Sequence, residues 1–311
     1  MRRPQHVTRR QFLAAVTPPN SISETETVQA AGYTALIDET GIIPNAQFQA
    51  QYLHTVPAIA PEAWSLTVAG LVETPLVLSY EVLLARSTVE IPSTLACSGH
   101  SADRMILGHA VWQGVWLRDL LADVTLQPDA RWARFGGADG YATSIALDEL
   151  DEAFVALGMN GTPLAPEHGF PARLIVPGLY GYKLPKWMIR IELTAEPYLG
   201  FWERRGWSQQ GAAQITSVLL YPQHDVPFGE VVRLMGLAYA GKREVRTVEI
   251  NIDDGPWMPV GFSPGERGCW VAWQIDWTPP APAEYVARVR ATDSTGLVQS
   301  DPRAIILRVI D

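Results

Sequence analysis

Apolar and polar residues alternate with a period of two along Trp64-Ser65-Leu66-Thr67-Val68-Ala69-Gly70, which predicts a strand with one buried face, and Pro75–Ser79 continues it after a turn. Ser79-Tyr80-Glu81-Val82-Leu83-Leu84 opens with a capping signature and predicts a helix start, as does Leu117-Arg118-Asp119-Leu120-Leu121. Arg173-Leu174-Ile175-Val176-Pro177-Gly178 has the apolar run of a buried strand stopped by a turn. From about Ile42 to Leu193 this mixture predicts an α+β domain, without the regular βαβ alternation of a doubly wound sheet.

After Gln214 the pattern changes. Strand-like runs at 231–239, 245–252, 270–277, 284–292 and 304–309 are separated by turns rich in Pro and Gly, with no good helix among them. That spacing predicts a β-sandwich of immunoglobulin size, in which Trp257, Trp270, Trp273 and Trp277 are core or interface aromatics. The expected division is a leader or flexible linker over 1–40, an α+β domain over 41–210 and a sandwich over 211–311.

Composition narrows the partners. A net charge of −9 disfavours nucleic acid and anionic membranes, both of which attract basic surfaces. No stretch approaches the roughly 18 apolar residues of a membrane span, so a soluble chain is expected. The two cysteines, Cys97 and Cys269, make no disulfide framework. Thr8-Arg9-Arg10-Gln11-Phe12-Leu13 is like a twin-arginine export signal. The apolar run behind it stops at Thr17-Pro18-Pro19, short of the roughly 7–15 residues of a signal peptide. The expectation leans to a periplasmic protein, with the cytoplasm as the alternative.

The chemistry centres on Cys97, within Ser93-Thr94-Leu95-Ala96-Cys97-Ser98-Gly99-His100, followed by Trp112-Gln113-Gly114-Val115-Trp116-Leu117. Alone, a cysteine on a polar loop is more often structural than reactive. Three local readings compete. Gly99-His100-Ser101-Ala102-Asp103 imitates a hydrolase nucleophile elbow but lacks its last glycine and the strand leading in. Cys97, His100 and His109 have spacing that permits zinc or copper, without a carboxylate to complete a motif. Both segments together instead resemble the metal-ligand cysteine region of the sulfite oxidase family of molybdopterin enzymes, which has Cys-Ala-Gly-Asn-Arg-Arg and then Trp-x-Gly-Val-x-Leu.

Two further segments carry the resemblance: Met159-Asn160-Gly161-Thr162-Pro163-Leu164 with His168-Gly169-Phe170-Pro171-Ala172-Arg173, and Gly181-Tyr182-Lys183-Leu184-Pro185-Lys186-Trp187. It extends to Glu249–Trp257 and Arg290–Ser294 of the sandwich, and so covers about residues 40 to 311. It implies a molybdenum–molybdopterin cofactor, with Cys97 as the thiolate ligand to molybdenum. His168, Arg173 and Lys186 would hold the pterin and its phosphate, for which a guanidinium is the natural donor. Asp139, Tyr52 and His54 would line the cofactor, although a solvated turn aspartate is an equal reading of Asp139. Pro185 lacks an amide hydrogen and removes one main-chain donor from a pterin contact of the family.

The substrate side departs from the pattern. Where sulfite-oxidising members place arginines and a tyrosine, this chain has Gln51, Ser101, Ala102 and Trp207, while Arg104 is a nearby cation. A pocket without those cations does not offset the desolvation of a dianion. Gln51, His100, Tyr52, His54 and Trp207 predict a more neutral, aromatic-walled pocket for a small molecule such as a sulfoxide, N-oxide or organic sulfur compound. The implied reaction is two-electron oxygen-atom transfer. The chain has no Cys-x-x-Cys-His haem signature and too few cysteines for the usual four ligands of an iron–sulfur cluster. A separate cytochrome or quinone-linked electron-transfer protein is therefore expected, together with a homodimer formed through the sandwich. The alternative is a non-catalytic member of the same fold.

Overall fold

The computed structural model describes residues 42–53, 55–98, 105–222, 225–262 and 265–311, so the leader at 1–40, His54, His100, Ser101, Ala102 and Arg104 lie outside the described residues. The chain divides into two compact units, one formed by Asn45–Ala213 and one containing Gln214–Asp311.

Among the described residues, the first unit holds ten strands: β1 (Ser65–Gly70), β2 (Leu76–Ser79), β3 (Val89–Ser98), β4 (Met105–Trp116), β5 (Trp132–Gly137), β6 (Ala142–Ala146), β7 (Phe154–Met159), β8 (Thr162–Pro163), β9 (Arg173–Ile175) and β10 (Met188–Thr194). They form two sheets, β2-β1-β10-β5-β6 and β3-β4-β7-β8, with β9 paired to β7. Alternation in β1 works as the sequence predicts, since Leu66 and Val68 are buried and Ser65 and Thr67 are half-buried. They join Leu117, Leu120, Phe135, Val155, Leu174 and Ile191 in one core. Two short helices, α1 (Tyr80–Ala85) and α2 (Leu117–Leu121), are the only α-helices among the described residues. The Val82 amide donates to Ser79 Oγ at 3.3 Å, which caps α1 as its sequence implies. The unit is thus richer in strand than the α+β expectation suggests.

Cys97 requires a correction. It does not sit on a polar loop but near the end of the ten-residue strand β3, paired antiparallel with Ile106 of β4. The run Pro92-Ser93-Thr94 hides this strand by interrupting the apolar pattern. Ser93 and Thr94 are nonetheless buried, and Thr94 Oγ1 lies 2.8 Å from Nδ1 of buried His109 across the pair. Thr94 thus has a partner and costs little to bury, whereas Ser93 Oγ is buried without one.

Among the described residues, the second unit holds nine strands: β11 (Thr216–Tyr221), β12 (Val226–Pro227), β13 (Val232–Tyr239), β14 (Val245–Ile252), β15 (Met258–Pro259), β16 (Gly261–Phe262), β17 (Val271–Trp277), β18 (Glu284–Asp293) and β19 (Ala304–Ile310). Their sheets, β11-β13-β17-β16 and β12-β19-β18-β14-β15, contribute to one core that includes Leu234, Ile250, Trp273 and Val289. Trp270 and Trp273 are buried, Trp277 meets Tyr285 edge-on at 5.1 Å, and Trp257 lies under the Arg290 guanidinium at 4.2 Å.

Candidate functional site

The first unit contains a cavity of about 370 Å³ into which seven sequence-predicted residues converge: Cys97, Gln51, Tyr52, Asp139, Arg173, Lys186 and Trp207. β3 delivers Cys97, β9 delivers Arg173, the turn after β5 carries Asp139, and the segment entering β10 carries Lys186. Sequence reasoning missed Tyr141, Tyr182, Trp187 and Trp202 in the same wall. An aromatic residue beside a glycine or a charge gives no sign from sequence alone that it faces a cavity.

Cys97 is half-buried, and burial pushes its thiol pKa up. Its S–H donates to Gln51 Oε1 at 3.1 Å. The position where the resemblance places an arginine is therefore filled by a neutral amide in direct contact with the cysteine.

Arg173 is buried, with Nη1 donating to His168 O at 3.0 Å and the guanidinium 5.0 Å from the centroid of the Trp112 ring. Burial alone pulls its pKa down to about 9, and its Nε has no hydrogen-bond partner. A buried guanidinium with a vacant donor and no carboxylate paired with it among the described residues is a site for an anion. Lys186 stands close enough to depress further: burial first, then Arg173, bring its ammonium to about 7. Its Nζ donates to Glu167 O at 2.8 Å and lies 5.2 Å from the Tyr52 ring and 4.8 Å from the Trp187 ring.

His168 is buried behind this wall and does not line the cavity itself. Its Nε2 lies 2.8 Å from Asn45 O, which only accepts, so Nε2 carries the hydrogen. Nδ1 is then a buried, unpartnered acceptor, and burial holds the ring's pKa below the ordinary range. Asp139 Oδ1 accepts the Tyr141 amide at 3.1 Å in a turn, and the residue lines the cavity. His54 and His100 lie outside the described residues. No three His, Cys, Asp or Glu side chains come together as a metal site among the described residues, and the zinc or copper reading also needs His100, which lies outside them.

Comparison with known proteins matches this chain to the oxidoreductase molybdopterin binding domain over residues 53–202. The uncharacterized oxidoreductase YuiH of Bacillus subtilis is 35% identical over 189 residues, 58% of this chain and 93% of that protein. The chain belongs to the sulfite oxidase family of molybdopterin oxidoreductases.

Nitrate reductase [NADH] of Volvox carteri is 29% identical over 280 residues, 68% of this chain, and the chain spans only 32% of that relative's length. The crystal structure of the sulfane dehydrogenase SoxCD from Paracoccus pantotrophus superposes with a TM-score of 0.73 at 24% identity, over 83% of this chain and 74% of that one. This family member's cofactor is molybdenum–molybdopterin. The residues fit it. A soft sulfur ligand faces the same cavity as a buried cation with a vacant donor, and a phosphate would meet both Arg173 and Lys186 there.

Proposed function

We propose that the chain catalyses two-electron oxygen-atom transfer on a small neutral substrate, of the sulfoxide, N-oxide or organic sulfur class, rather than on sulfite. The observation that carries this reading is the contact of Cys97 with Gln51. Arg173 and Lys186 are the only cations among the described lining residues, and both are better suited to the pterin phosphate. A dianion arriving beside Cys97 would lose its hydration without compensation from the described residues there.

When bound, molybdenum–molybdopterin supplies the two-electron exchange that accompanies oxygen transfer. Cys97 would ligate the metal as thiolate, giving up the proton that burial now holds on sulfur. Arg173 and Lys186 would orient the cofactor through its phosphate, His168 would brace Arg173, and Asp139, Tyr52 and His54 would lie along the pterin. Gln51, His100 and Trp207 would shape the substrate side and keep water from it. The second unit would be an immunoglobulin-like sandwich that dimerises the chain, a cytochrome or quinone-linked protein would exchange electrons with it, and the leader would direct export to the periplasm.

The deciding experiment is expression in a host that makes the cofactor, with molybdenum counted per chain. The purified protein is then assayed with sulfoxides, N-oxides and sulfite, and its mass is measured by sedimentation. One molybdenum per chain with turnover of the neutral compounds is expected. Preference for sulfite would overturn the substrate class, and a folded dimer without molybdenum would point to a non-catalytic member.

A further inference from the structure

Behind the cavity lies a buried ion pair that the mechanism does not use. Lys183 Nζ donates to Glu203 Oε1 at 2.7 Å and to Ser144 O at 2.7 Å, with side-chain exposures of 0% for Lys183 and 1% for Glu203. Thr143 Oγ1 also donates to Glu203 Oε1, while Glu203 Oε2 is buried with no hydrogen-bond partner. Such a pair is expensive to bury, and apolar residues of similar volume would stabilise the fold as well. Its position offers a reason for keeping it.

Glu203 belongs to the turn that joins the two tryptophans of the cavity wall. Gly206, with φ of +89°, closes this turn by donating its amide to Glu203 O at 3.0 Å, and the Trp207 amide donates to Trp202 O at 3.2 Å. The rings of Trp202 and Trp207 lie 4.7 Å apart. Lys183 directly follows Tyr182, whose ring meets Trp207 edge-on at 5.0 Å. The ion pair therefore ties the chain segment bearing Tyr182 to the turn bearing both tryptophans, and neither of its members lines the cavity.

We propose that Lys183 and Glu203 are positioning residues that fix the Trp202–Trp207 wall and thereby set the size of neutral molecule admitted beside Cys97. This inference rests on the proposed substrate class. A wall held by packing alone can slide, whereas a charge pair at one fixed distance in a dry interior cannot, because separating its members strands both charges.

The test uses the full chain loaded with cofactor and the double substitution Lys183→Met/Glu203→Leu, with Glu203→Gln read in the same way should the double variant fail to fold. Lys183→Arg, which keeps the charge, serves as the rescue. Dimethyl sulfoxide and methyl phenyl sulfoxide are the probes, with a reduced viologen dye as electron donor. Acrylamide quenching of Trp202 and Trp207 is taken as the difference from counterparts carrying Trp202→Phe and Trp207→Phe. With the tie removed, molybdenum content should hold, the two tryptophans should quench more readily, and the ratio of KM values for the two sulfoxides should shift by roughly tenfold, more than the kcat ratio. Lys183→Arg should restore the unsubstituted values. Unchanged quenching with an unchanged KM ratio would show the pair to be merely structural. If the unsubstituted enzyme turns over neither sulfoxide, sulfoxides drop out of the substrate class, and quenching alone decides whether the pair holds the wall.

Discussion

At Cys97, burial favours the neutral thiol, and Gln51 accepts its hydrogen, so only a bound metal would draw out the thiolate. Cys97→Ser should therefore abolish turnover while molybdenum stays bound through the pterin sulfurs. Metal analysis beside an activity assay checks this, and full activity in the variant would remove Cys97 from the site. Arg173→Ala acts on the other end of the cofactor and should lower molybdenum content, since the phosphate loses its buried guanidinium. Lys186 adds a pH signature. Its pKa in the folded chain without cofactor is about 7, below the ordinary 10.5, so between those values the unfolded chain holds more protons. Stability of the cofactor-free chain should accordingly rise with pH from about 7 towards 10.5, and Lys186→Met should flatten that rise. Thermal melts across that range measure it. A profile that falls with pH, or one identical in the variant, would contradict the buried-cation account.

Among the elements, the antiparallel β3–β4 pair explains why a signature recognised from sequence is only partly about chemistry. In Trp112-Gln113-Gly114-Val115-Trp116-Leu117, the side chains of Trp112, Val115 and Leu117 are buried, and Trp112 supports Arg173 through its ring face. Gly114 lies against β7 so closely that a Cβ there would come within 2.0 Å of Val155 O. Gly114→Ala should cost about 1–3 kcal/mol by forcing the two strands apart. Denaturant unfolding of the cofactor-free chain measures it, and an unchanged midpoint would mean the sheet yields freely. Period-two runs such as β1 and β14 were legible because apolar residues on one face alternate with polar residues on the other. β3 was not, because its buried Ser93 and Thr94 carry the composition of a loop. The same limit hid Lys183 and Glu203: charges that satisfy each other indoors look, in sequence, like charges facing water. Cys97, Arg173 and Lys186 were legible because their segments match a family pattern, and the aromatic wall between them was not, since ring contacts join residues distant in sequence.

For the whole molecule, the decisive fact is how little redox equipment the chain carries. With two cysteines, one of them in the cavity and the other buried in the second unit, it cannot build the usual iron–sulfur site, and it contains no haem attachment signature. If molybdenum is its single redox centre, one oxygen transfer uses the two electrons available, and a second must wait for an outside donor or acceptor. Loaded enzyme that has been reduced beforehand and freed of reductant, then mixed with a sulfoxide alone, should therefore convert about one equivalent per molybdenum and stop, and a reduced viologen dye should restart it at a rate set by dye concentration. Rapid-mix product analysis followed by dye addition reads both stages. Continued turnover without dye would reveal a further redox group, and no first equivalent at all would show that the altered pocket around Gln51 and Trp207 no longer supports the chemistry.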